Sequence, residues 1–294
     1  MGVSFEELRE RCQRPVRDRN DVAGLVYGDR ASLPFTKLFV DANVSPDVAT
    51  VGMLVCGLLG SALQLVGERA ALAGAILLVL YYVLDCVDGE VARYRQIEDI
   101  RWGYNEYVFH MLVKPACFAC VGIAAWWTTG SPWAIYAGLA AAVAVLWLKL
   151  LHEVPAVQMT RYVLGTPPER NRAFRRYVES VELQTEAGAA GGGGVFRLGL
   201  DLVTLRALAT NFDIGLLALV VATGVDVLAD PLVIGGLRPL TARLAWCLFY
   251  GAVVPLDFLD HLQTFLRRDE FGHALPRMMK QAHEFDARKH KGRE

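Results

Sequence analysis

The sequence predicts an all-α integral membrane protein. It has six transmembrane helices, an N-terminal interfacial helix and both termini in the cytoplasm. Three observations carry this expectation. Of the 294 residues, 54% are hydrophobic, and the mean hydropathy is +0.31, too apolar for a soluble domain of this length. Six apolar segments are long enough to be helices that cross, or nearly cross, a bilayer. The basic residues are unevenly shared among the connections between those segments.

Residues 1–46 form a polar, basic N-terminal segment. Ser4 ahead of Glu6 and Glu7 reads as the start of a surface helix. Leu33–Val40, apolar around Lys37, suits a helix lying along the membrane interface. A solvated helix is the plainer alternative. No signal-peptide pattern is present, because charged residues precede any apolar core.

A membrane domain follows over residues 47–266. Its apolar segments are Val48–Val66, Ala70–Leu84, Tyr107–Trp127, Trp133–Leu151, Phe212–Leu228 and Leu244–Leu262. The second is expected to continue as a helix past the membrane surface, through Asp85 to Arg95. In the long connection after the fourth segment, Arg170–Glu182 is charged and helical in pattern. Glu186–Gly194 reads EAGAAGGGG, a flexible linker ending near residue 195. It lacks the GxxxxGK[ST] pattern of a phosphate loop. The charged tail, residues 267–294, suits a solvated helix near anionic headgroups. Its histidines, His273, His283 and His290, lack ligand spacing.

Orientation follows from charge. With the N-terminus inside, the four inside segments carry seven, three, seven and eight of the 30 Lys and Arg residues. The outside loops carry only Arg69, Arg238 and Arg243. Basic residues stay on the cytoplasmic side, so the loop between spans two and three is cytoplasmic. A net charge of −1 argues against a nucleic-acid partner. The six cysteines show no secreted disulfide spacing. Cys117 and Cys120 form a CxxC inside an apolar segment, where small buried residues are the simpler reading than a redox or zinc site.

The polar residues that interrupt the apolar segments concentrate between Asp85 and His110. Asp85 and Asp88 are three apart and share a helix face. Carboxylates at the mouth of a membrane helix are costly and call for a compensating cation. Oxygen ligands of this kind suit Mg2+ or Mn2+. Gly89 and Ala92 keep the next turn free of bulk, and Arg93 supplies a bidentate donor for phosphate. Carboxylate-held divalent cations beside an Arg suit a diphosphate. Helix-end carboxylates neutralised by Arg93 and Arg95 are the plainer alternative. Glu106, His110 and Lys114 form a second polar face at i, i+4 and i+8.

Asp85-x2-Asp88-Gly89-x2-Ala92-Arg93 resembles the first half of the signature of the CDP-alcohol phosphotransferase family. That signature reads D-x2-D-G-x2-A-R, then eight residues, G, three residues, D, three residues, D. The second half departs from it. Glu106 and His110 stand at the acidic positions, and glycine comes one place late, at Gly103. Ser45–Thr50, SPDVAT, is similar to the Pro-Asn-x-x-Thr element that opens the family's first span. The likeness covers Leu33 to about Leu151, and the remainder matches only as a hydropathy profile.

The resemblance implies six spans around a cytoplasmic site in the cell membrane, commonly in a homodimer. It implies a CDP-alcohol donor held through two divalent ions, Mg2+ or Mn2+, and attack by an acceptor alcohol. CMP is released and a phosphodiester formed, as in phospholipid or polar-headgroup biosynthesis. Asp85, Asp88 and Glu106 take the metal-ligand positions. Asp85, Gly89, Ala92, Arg93 and Gly103 take those that contact the CDP moiety. His110 occupies the position of the presumed general base. Imidazole serves as a base near neutral pH, as a ligand that favours Mn2+, or as the mark of lost activity, and these alternatives stay open. Lys114, Lys149, His152 and Arg161 are candidates for an acceptor pocket that takes an anionic acceptor. Snorkelling to headgroups is the alternative, which fits Lys114 poorly. Asp213, Asp257, Asp260 and His261 either close the polar cavity or cap helices.

Asp88–Arg95 reads DGEVARYR. Family members without an assigned substrate carry similar stretches followed by an E/D-x3-H pair, and the DGE form also occurs in the branch that joins soluble inositol phosphates. The donor is therefore CDP-diacylglycerol or another CDP-linked alcohol. Two other classes compete: an impaired family member that binds or transports CDP-lipids, and a metal-cation transporter. The second would need acids on several spans, whereas here they gather at one mouth.

Overall fold

The computed structural model describes residues 2–19, 22–97, 100–165, 202–229, 238 and 240–268, with backbone alone at 17–19, 100–104, 106, 152–165, 202–205 and 267–268. The predicted Arg170–Glu182 helix, the Glu186–Gly194 linker and nearly all of the charged tail lie outside the described residues. The regular elements among those described are all helical.

The chain begins with α1 (Phe5–Leu8), where Ser4 Oγ accepts the Glu7 amide at 3.1 Å, a side-chain N-cap. A wide turn over Arg9–Gln13, a tighter one over Arg14–Arg19 and a second wide turn over Gly24–Gly28 lead into α2 (Asp29–Asp41). In α3 (Pro46–Leu63), Pro46 takes the first turn, where its missing N–H costs nothing, and Ser45 Oγ accepts the Asp47 amide. Next come α4 (Glu68–Arg95), α5 (Ile100–Thr129) and α6 (Pro132–Gly165), then α7 (Leu202–Thr210), α8 (Phe212–Leu228) and α9 (Ala242–Arg268).

Among the described residues, five stretches are long and apolar enough to cross a membrane: Pro46–Leu63, Glu68–Arg95, Tyr107–Thr129, Pro132–Leu151 and Ala242–Leu266. The chain is thus an all-α, multi-pass membrane protein. The other predicted segment forms α8 with the predicted bounds. Its 17 residues stand at the lower limit of about 17 for a crossing. α4 has 28 residues, or about 42 Å of helix. It outruns a hydrocarbon core of about 30 Å and carries Asp85–Arg95 beyond it. It stops at Gln96, whose φ of 55° is left-handed.

Residues 2–146 and the described part of 202–257 pack as one unit, while 147–165 and 258–268 belong to a second, helical one. In the first unit α4 packs against α2, α3 and α8, burying Ala71, Ala75, Leu78, Tyr81, Val87 and Val91. The α3–α4 contact is backbone-close. A Cβ on Gly60 would sit 2.7 Å from the Gly74 carbonyl oxygen. At the far end of the bundle, Asp226 accepts the Ala242 and Arg243 amides and lies 3.1 Å from Arg243 Nε, which caps α9 and neutralises a buried charge.

Candidate functional site

The α3–α4 approach sets the first contact of the site. Asp88 is 1% exposed and accepts a hydrogen bond from Thr50 Oγ1 at 3.0 Å. Thr50 closes the Ser45–Thr50 stretch and stands on the first turns of α3, so two motifs 38 positions apart meet at one carboxylate. Gly57, two turns along α3, makes room for the neighbouring helices. A Cβ there would lie 2.5 Å from Val113 of α5 and 3.0 Å from the Tyr81 ring.

The polar faces of α4 and α5 also meet. Asp85 Oδ1 is buried and lies 3.1 Å from His110 Nε2, without hydrogen-bond geometry. His110 Nδ1 takes the Tyr81 hydroxyl, with the two rings edge-to-face and 5.8 Å between centroids. If Tyr81 donates to Nδ1, the neutral ring carries its proton on Nε2, towards Asp85. If Nδ1 instead donates to the Tyr81 oxygen, the neutral ring leaves Nε2 bare, as a general base requires, and a doubly protonated ring would donate at both nitrogens. In either case His110 stands between Tyr81 and Asp85.

Arg93 is exposed and donates from Nε to the Cys12 carbonyl at 2.7 Å. Its guanidinium folds over Gly89, where a Cβ would meet Nη1 at 3.1 Å. Arg95 Nη2 reaches the Phe39 carbonyl at 3.4 Å. Both arginines thus reach backbone carbonyls of the N-terminal segment. Ala92 is buried beside them.

Lys114, one turn past His110, lies 3.5 Å from Asp213 Oδ2 and 5.2 Å from the centre of the Phe212 ring. Asp213 stands in the first turn of α8, which Asn211 caps, and its carbonyl accepts the Tyr27 hydroxyl at 3.1 Å. Asp257 pairs with Arg206 at 2.7 Å. Both acids thus hold helices together across the fold. Lys149 stands on α6 beyond Leu146, in the second unit, as do Asp260 and His261 on α9. The side chains of Glu106, His152 and Arg161, and the surroundings of Gly103, lie outside the described residues. All six cysteines are free, and Cys117 is buried.

Tyr81, Tyr27 and Glu90 are functional candidates that spacing did not reveal. The available signal for Tyr81 is a phenol one turn before Asp85 in an otherwise apolar run. For Glu90 it is an acid on the side of α4 away from Asp85 and Asp88.

Among the described residues no group of three or more His, Cys, Asp or Glu is arranged to hold a metal ion. The donors present still suit a hard cation. Two carboxylates stand one turn apart, and the buried Asp85 Oδ1 has no hydrogen-bond donor, the kind of atom that a cation satisfies. Comparison with known proteins finds no family model that matches the chain and no curated relative.

Proposed function

We propose that the chain is a membrane-embedded, metal-dependent CDP-alcohol phosphotransferase. The observation that carries this reading is the hydrogen bond from Thr50 to Asp88. It joins the two sequence stretches that separately resemble the family, and local spacing has no way to produce it. The contact of Asp85 with His110 supports the reading further, because it brings the two halves of the signature together.

In this reading Asp85 and Asp88, with Glu106, hold Mg2+ or Mn2+, two ions by resemblance. Bound cations would neutralise the diphosphate and the departing CMP. The chain's own groups do the rest. Arg93 grips diphosphate oxygens through its terminal nitrogens, and Gly89 and Ala92 leave room for the nucleotide, with Gly103 a further candidate. The acceptor hydroxyl attacks the phosphorus that bears the donor alcohol. The bond from that phosphorus to the CMP oxygen breaks, and a phosphodiester forms. His110 takes the hydroxyl proton at Nε2 in the tautomer that carries its own proton on Nδ1, towards the Tyr81 oxygen. Lys149, His152 and Arg161 are the cations for an anionic acceptor. Lys114 is the weakest candidate, since an anion must compete there with Asp213. The basic-residue asymmetry supports six spans that include α8, both termini in the cytoplasm and a cytoplasmic site in the cell membrane.

The engaged state of His110 favours a second reading, a CDP-lipid binder or transporter without turnover. One experiment separates the two. Purified protein is given CDP-diacylglycerol or CDP-linked small alcohols with acceptors, and CMP is measured with and without Mg2+ or Mn2+. Phosphotransfer predicts metal-dependent CMP release that Asp88→Ala lowers by about a hundredfold or more. Unchanged release in that variant sinks the assignment. Metal-dependent binding without any CMP establishes the binder.

A further inference from the structure

Glu90 has no part in the chemistry above, yet it is 2% exposed. It lies two residues from Asp88 and so projects from a different side of α4, towards the N-terminal segment. Its Oε1 accepts from Gln13 Nε2 and from Ser32 Oγ, each at 2.7 Å. Its Oε2 accepts from Thr36 Oγ1 at 2.5 Å. Ser32 and Thr36 stand one turn apart on α2, and the Gln13 amide also donates to the Asp29 carbonyl at 2.6 Å. A carboxylate only accepts, so three converging donors match it, and without them its burial would be prohibitive.

One turn along α4, Arg93 grips the same piece of chain. Its Nε donates to the carbonyl of Cys12, the neighbour of Gln13. The turn Arg9–Gln13 is therefore held twice, by Glu90 through a side chain and by Arg93 through the backbone. Cys12 is sealed in a cluster with Leu8 and Leu33, against Tyr94, and the Arg11 guanidinium lies 5.5 Å from the centre of the Tyr94 ring. With Nε committed, the guanidinium plane is set over Gly89. An arginine fixed in this way binds an anion with less loss of side-chain freedom.

We propose that Glu90 is a positioning residue for Arg93: it clamps the turn Arg9–Gln13 onto α4, and the Cys12 carbonyl of that turn aims the Arg93 guanidinium at a diphosphate. This role rests on the reading of Arg93 as the diphosphate contact.

The test uses the full chain in lipid nanodiscs, with CDP and Mn2+ as the calorimetric probe and Cys12 alkylation by iodoacetamide, followed by peptide mass spectrometry, as a second readout. Burial pushes the Cys12 thiol up to about 11, so alkylation at pH 8 is slow while the turn is docked. Glu90→Leu is expected to weaken CDP binding tenfold or more and to speed Cys12 alkylation by a similar factor. Thr36→Val, which leaves Glu90 two donors and disturbs the fold less, moves both readouts the same way by a smaller factor. Arg93→Lys weakens CDP binding in the native background and adds little in the Glu90→Leu background, because the two changes act through one group. Additive losses in that cycle, or unchanged Cys12 alkylation in both Glu90→Leu and Thr36→Val, overturn the positioning role while the phosphotransferase reading stands. A native protein that fails to bind CDP with Mn2+ instead overturns that reading, and the role of Glu90 with it.

Discussion

Asp85 and Asp88 stand one turn apart on the same helix and are held by different chemistry. A neutral hydroxyl from α3 steadies Asp88, and an imidazole from α5 faces Asp85. The second arrangement decides what His110 does. If its nitrogen becomes a base during the reaction, His110→Ala should lower kcat by about 10² to 10⁴. Tyr81→Phe, which removes only the group that orients the ring, should cost about tenfold. Steady-state CMP release measures both, and a rate near that of the native protein in His110→Ala excludes the base role. That Asp85 and Asp88 share a face was legible from spacing, since a helix turns i and i+3 to one side, whereas the contact of His110 with Asp85 needed the packing of two helices. Tyr81 and Glu90 were not legible. An apolar-run tyrosine and a lone glutamate gain meaning only from partners on other helices.

At the scale of elements, α4 is the piece that the others are fitted to. Its contact with α3 depends on the absence of side chains at Gly60 and Gly74, whose backbones nearly touch. Small residues that let helices approach closely are the usual device of membrane helix pairs. Gly60→Ala should therefore push α3 away from α4, destabilise the protein by about 1–3 kcal/mol and draw Thr50 off Asp88. Thermal unfolding in detergent, with CMP release alongside, checks both effects. Gly224 on α8 has nothing within 4 Å of a built Cβ. Gly224→Ala is the matched control, with a change expected within about 0.5 kcal/mol. The sequence marked α4 as one helix running through both Asp residues to Arg95, because nothing along it breaks the helix. It did not mark the glycine contact, because a glycine in an apolar run looks the same whether it faces lipid or a neighbour.

At the scale of the molecule, the five helices among the described residues that are long and apolar enough to span leave wide apolar faces uncovered, with Val48, Val51 and Val55 of α3 all more than half exposed. Trp127, Trp133 and Tyr136, around the turn between α5 and α6, are exposed too. They stand at the opposite end of α5 from His110, as residues of an interfacial aromatic belt do. The protein should stay in the membrane fraction through an alkaline carbonate wash and enter solution only with detergent. Release by carbonate alone, followed by immunoblot, would contradict the spanning arrangement.

The sequence by itself determined the helical membrane class, the bounds of α8 and the candidate mouth at Asp85–His110. Hydrocarbon leaves an apolar run of this length no alternative to a helix, and helical periodicity then fixes which neighbours share a face. Only the tertiary structure decided the partners: Thr50 on Asp88, Tyr81 on His110, Asp213 on Lys114, and the three donors on Glu90. Among those pairs Thr50 and Asp88 stand 38 positions apart and Gln13 and Glu90 stand 77 apart. Their meeting depends on how closely helices pack, which side-chain volume sets across the bundle and spacing along one helix does not encode. The mouth first read as two carboxylates in need of a cation is also the place where the N-terminal segment locks onto α4.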